Sequence, residues 1–133
     1  MLVDTGAWLA VFHRRDQYHA PAAAVLRRLR GERRRLVTTN LVLAELHLHL
    51  LHGLGPVRAA QHLDTMLADP LTDEVFADRS LQAAAVADWI HRFSDQPFTL
   101  TDAVSFAVMR ARGISQAFTF DRHFVVAGFR TLP

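Results

Sequence analysis

Ala117-Phe118-Thr119-Phe120-Asp121 and, at the start of the chain, Met1-Leu2-Val3-Asp4 have the same form: a short, mostly apolar run that ends on an aspartate. Each run is too short for a helix and reads as a buried strand. Leu36 to Thr38, after Arg33-Arg34-Arg35, reads the same way, and Glu74 to Ala77 is a further strand candidate. Helical stretches lie between them. Thr5 to His13 carries Trp8, Leu9 and Phe12 on one side. Ala20 to Arg30 turns Val25, Leu26 and Leu29 inward, and Gly31 ends it. Asn40 is placed to cap a helix through His52, ended by Gly53 and Gly55, and Pro56 opens another through about Ala68. Ser80 to Phe93 repeats Leu81, Ala85, Trp89 and Phe93 at every fourth position, and Thr101 to Arg112 closes on Gly113. Residues 124–132 carry no clear signal. Strands alternating with helices predict an α/β fold with a mainly parallel central sheet. Sites in such sheets lie beyond the carboxyl ends of the strands, where Asp4 and Asp121 stand.

A length of 133 residues fits one domain, 1–133, with a single buried core. Half of the residues are hydrophobic, yet no uncharged apolar run reaches the ~18–20 residues of a membrane span. Met1-Leu2-Val3-Asp4 has no basic start and does not read as a secretory signal, so the expected location is cytoplasmic. The absence of cysteine excludes disulfides, thiolate zinc sites and a thiol nucleophile. All 15 basic residues are arginine and none is lysine, which removes side-chain amine chemistry. Arginine offers a planar fork suited to phosphate. If four of the 13 acids share one cleft, the remaining surface carries a positive excess, as suits a polyanion held over metal ions.

Taken singly, Asp4 and Asp121 read equally well as helix caps or turn formers. Asp102 can serve a helix dipole beside the capping hydroxyl of Thr101. Glu45 is harder to explain that way. On a helix from Asn40 it shares a stripe with Leu41, Leu48 and His52, with Val42 on the same side. A carboxylate on an apolar packing face is costly unless it is paired or binds metal. Clustered carboxylates repel one another without a cation, and magnesium and manganese prefer such oxygen ligands. Two ions about 4 Å apart are one known way to cleave a phosphodiester.

Four stretches together resemble the ordered motifs of PIN domains: Val3-Asp4-Thr5, Thr39 to Glu45, Leu100 to Phe106, and Ala117 to Phe124. Val108 to Ile114 and Gly128-Phe129 are similar to the bacterial VapC-type toxins. Residues 55–98 match only in general character. The resemblance implies a three-layer α/β/α fold and endoribonuclease activity dependent on Mg2+ or Mn2+. It also implies an RNA substrate, a cognate antitoxin and a homodimer. By motif position, Asp4, Glu45, Asp102 and Asp121 are the metal-binding, catalytic acids, and Thr5 and Ser105 are hydroxyl partners near them. Ser105 follows Asp102 by three residues, so both face one side of their helix. Asn40 is expected as a supporting residue, and Asp95, in the loop before the Asp102 helix, as an extra acid. The competing reading is a non-catalytic RNA- or protein-binding module on the same fold. A phosphoaccepting receiver domain would need a lysine near its acids. A dehalogenase-type phosphatase would need a second aspartate where Gly6 stands. The eight histidines lack the histidine-glutamate-x-x-histidine zinc pattern.

Overall fold

The computed structural model describes residues 1–133. Five strands, β1 (Leu2–Val3), β2 (Leu36–Thr39), β3 (Thr72–Val75), β4 (Gln116–Phe118) and β5 (Arg130–Leu132), form one sheet in the order β3-β2-β1-β4-β5. Every pairing is parallel. The helices are α1 (Thr5–Phe12), α2 (His19–Gly31), α3 (Asn40–Leu54), α4 (Pro56–Ala68), α5 (Arg79–Ala85), α6 (Leu100–Ala111) and α7 (His123–Val126).

Alternation along the short strands builds three layers. Val3, Leu36 and Phe118 face one core with α1 to α4, while Leu2, Val37 and Ala117 face another with α5 to α7. Strands buried on both faces need apolar residues at successive positions, which is why β1 reads as an unbroken apolar run. The chain leaves β1 towards β2 and β3, then crosses back to place β4 on the other side of β1. This reversal opens a crevice at the carboxyl ends of β1 and β4. The two strands stay joined to their tips, where the Asp4 amide donates to the Phe118 carbonyl at 3.1 Å.

Several local expectations shift. β3 lies two residues earlier than Glu74 to Ala77, because Thr72 to Val75 pairs with β2 in register and leaves Phe76 73% exposed. The four-residue repeat of Leu81, Ala85, Trp89 and Phe93 is too long for an α-helix of 3.6 residues per turn. The chain resolves this by passing from α5 into a π-helical segment, Val86–His91, whose wider turns keep these residues on one core. Asn40 does not cap α3. Thr39 does, its Oγ1 accepting from the Val42 amide at 3.1 Å. Asn40 Oδ1 instead accepts from the Ala77 amide at 2.8 Å and ties down the end of β3. The tail, unassigned from sequence, forms α7 and the edge strand β5.

Candidate active site

Asp4 follows β1 directly and occupies the N-cap position of α1, yet its side chain makes no capping bond. Its Oδ2 accepts instead from Thr119 Oγ1 at 3.0 Å. The carboxyl is 7% exposed, and burial pushes its pKa up to about 7. Hydrogen bonds from Thr119 and the Thr5 amide oppose that rise, and the charges of Asp102 and Asp121 add to it.

Asp102 stands in the first turn of α6. The hydroxyl that caps this helix belongs to Thr99, not to Thr101. Thr99 Oγ1 accepts from the Asp102 amide at 3.1 Å, and Asp102 Oδ2 accepts from the Thr99 amide at 2.9 Å. This reciprocal capping box fixes the carboxylate's direction. Burial raises the Asp102 pKa; the Thr99 bonds and His123 lower it, and Asp121 raises it.

Asp121 does not follow its strand directly, since β4 ends at Phe118. Thr119 and Phe120 carry the chain over the sheet edge. The Thr119 hydroxyl accepts from the Asp121 amide at 2.9 Å while it donates to Asp4. One hydroxyl thus joins the two strand-end aspartates. Asp121 Oδ1 accepts from the His123 amide at 2.8 Å, which turns the chain into α7.

The Glu45 stripe needs correction. The packing face of α3 is Val42, Leu43, Leu46 and Leu50, and Leu48 is 51% exposed. Glu45 lies beside that face, half-buried, with its Oε2 accepting from Thr5 Oγ1 at 2.6 Å. Asp4, Thr5, Glu45, Asp102 and Asp121 line one cavity of about 630 Å³. Ser105 is fully buried behind it, its Oγ without a partner, and does not line it. Asn40 is held at Ala77, and Asp95 is an exposed loop residue bonded to Gln96; neither borders the cavity.

Two residues without an expected role belong here. Thr119 is one, hidden in what reads as a plain strand. His123 is the other. Its Nδ1 is buried without a hydrogen bond, 3.3 Å from Asp121 Oδ2 and 3.5 Å from Asp102 Oδ2. Ligand atoms of Asp102, Asp121 and His123 lie within 4.8 Å of one another. Asp-x-His in Asp121-Arg122-His123 was the available signal. Tyr18 and Phe120, stacked at 4.4 Å, form an aromatic wall of the cavity.

The donor set fits a divalent cation. Two of the four acids carry raised pKa values, and no arginine pairs with any of the four, although the chain has 15. Clustered, largely buried carboxylates with no arginine partner are stabilised by a cation. Asp102, Asp121 and His123 have ligand atoms close enough to share one ion, and Asp4 and Glu45 line the same cavity.

Residues 1–130 match the PIN domain. The chain is 34% identical to the 23S rRNA-specific endonuclease VapC20 of Mycobacterium tuberculosis, over 97% of this chain and 95% of that protein, in two strains. The crystal structure of VapC20, described as a Sarcin-Ricin loop cleaving toxin, superposes with a TM-score of 0.83 at 30% identity, covering 96% of this chain and 95% of that one. No helix here is long and apolar enough to cross a membrane. Fold, motif order and whole-length similarity agree: the chain belongs to the PIN-domain family.

Proposed function

We propose that this chain, residues 1–133 acting as one unit, is an endoribonuclease of the VapC toxin type that cuts RNA phosphodiesters at the Asp4 cavity. The observation that carries this reading is the convergence of Asp4, Asp102 and Asp121 from three separate elements at the sheet's switch point, with no arginine paired to any of them. Whole-length similarity to an rRNA endonuclease supports the substrate class. Mg2+ or Mn2+ would be held by Asp4, Asp102 and Asp121, with Glu45 completing the acidic wall. When bound, the cation supplies charge neutralisation and Lewis acidity at the scissile phosphate. The chain's own residues do the rest. The Thr99 capping box and the Thr119 bridge fix the carboxylates before substrate arrives. Thr5 orients Glu45. Arg122, at the cavity rim, meets the incoming phosphate backbone. A cognate antitoxin, a homodimeric assembly and a cytoplasmic location complete the proposal.

The test is cleavage of RNA in EDTA, in Mg2+ and in Mn2+, by the wild type and by Asp102→Asn. Cleavage is expected only with metal and only from the wild type. Equal cleavage in EDTA would refute the metal mechanism, and RNA binding without any cleavage would favour the non-catalytic module.

A further inference from the structure

A second, smaller cavity of about 360 Å³ adjoins the first across the α1–α2 loop. His13, Arg14 and Arg15 line it from that loop, and Arg58 lines it from the first turn of α4. None of these arginines lies within ion-pair distance of a carboxylate, whereas five others in the chain do. The nearest acid in sequence, Asp16, faces the catalytic cavity and accepts from the Tyr18 amide at 2.7 Å. Gly53 completes the wall. A Cβ there would meet the His13 ring at 3.3 Å, so glycine lets the imidazole lie against α3. α4 starts at this rim with no acid in its first turn and no side-chain cap, so its positive dipole end adds to the field. The field reaches His62, whose pKa is lowered by burial and by Arg58.

We infer that the cavity between the α1–α2 loop and the start of α4 is a phosphate-binding subsite for the RNA backbone beside the scissile position. The inference rests on the ribonuclease reading above. His49 faces the catalytic cavity, and Gly53, one helical turn further along α3 and about 6 Å away by helix rise, faces the basic one. A strand that follows α3 from the catalytic cavity would pass over Arg14 and Arg58. Unpaired guanidinium forks suit phosphate oxygens. The α1–α2 loop and α3 contribute to the linings of both cavities, which favours RNA over an acidic peptide.

Fluorescence anisotropy of a labelled oligoribonucleotide, in EDTA to prevent cleavage and over a range of salt, tests this. Arg14→Gln with Arg58→Gln should weaken binding about tenfold or more and lower the salt slope by roughly 1.4, or about 0.7 per lost phosphate contact. With metal restored, KM should rise and kcat hold. Arg33→Gln with Arg34→Gln removes equal charge elsewhere and should change both quantities far less. Wild-type affinity and slope in the first variant would overturn the inference, as would an equal loss in the control pair. Retained RNA affinity with lost binding of the cognate antitoxin would overturn it in favour of protein docking. Failure of the ribonuclease reading would show in the wild type itself, as RNA neither bound nor cut.

Discussion

The β1–α1 and β2–α3 junctions share one backbone design and use it for opposite ends. Each strand ends on a polar residue in extended conformation, Asp4 at φ −83°, ψ 162° and Thr39 at φ −122°, ψ 157°. Thr39 caps its helix through Val42. Asp4, from a residue type that caps well, leaves α1 uncapped and turns its carboxylate towards Asp102 and Asp121. The Thr39 junction is arranged for stability. At Asp4, a capping bond worth about 1 kcal/mol is forgone and a buried carboxyl is accepted, as the proposed cation site requires. The α6 start lies between these cases, since Asp102 both closes a capping box and faces the cavity.

The sharpest way to break this comparison is to change the two junctions separately. Asp4→Asn should lower metal-dependent cleavage at least about 100-fold while the fold persists. An Asp4→Ala protein that fails to fold while Asp4→Asn, which caps as well as aspartate, folds, both measured by circular dichroism, would return Asp4 to the capping role. The second prediction concerns pH. The folded pKa of Asp4 is raised from 3.8 to about 7, so the protonated form favours folding. That contribution is present below about pH 4 and is lost as pH climbs towards 7. Asp102 shifts in the same direction. Metal-free Asp4→Asn should therefore exceed the wild type in stability at pH 8, by something on the order of a few kcal/mol, and lose that advantage near pH 4. Urea unfolding in EDTA at both pH values checks this; a gap that does not change with pH contradicts it.

Smaller effects sharpen the picture. Thr119→Val cuts the hydroxyl that joins Asp4 to the Asp121 backbone, and should weaken metal binding by about 10- to 100-fold, read by calorimetry with Mn2+. Unchanged affinity would make Thr119 a strand residue only. Thr39→Ala should cost about 1 kcal/mol of stability and leave the cleavage rate per folded molecule intact, read by thermal unfolding beside the RNA assay. A large loss of rate there would dissolve the distinction between the junctions.

The layers, and Asp4 and Asp121, were legible because burial on both faces of a parallel sheet forces apolar runs, and these two acids stand near the ends of such runs. β3 was misplaced because Thr72-Asp73-Glu74-Val75 is a half-exposed edge strand without an apolar pattern, while the apolar Phe76 beyond it is exposed. Caps slipped by one or two residues, Thr39 for Asn40 and Thr99 for Thr101, because neighbouring polar residues compete and only tertiary packing decides. Glu45 was placed on the wrong stripe for a related reason. α3 is apolar over much of its circumference, with the half-buried Leu41 and Leu51 beside the four buried packing residues, so its true face is not marked by sequence alone. His123 and Thr119 were missed because their roles exist only once β4 lies beside β1.

In the proposed function Asp4 serves a cation instead of its helix. Calorimetric titration of Mn2+ into wild-type and Asp4→Asn protein at pH 8 tests it most directly. Measurable binding to the wild type is expected, weakened at least about tenfold in the variant, with metal-free stability equal or higher. Equal Mn2+ affinity in the two proteins, or an Asp4→Ala protein destabilised in EDTA relative to Asp4→Asn by the cost of a lost cap, would contradict it.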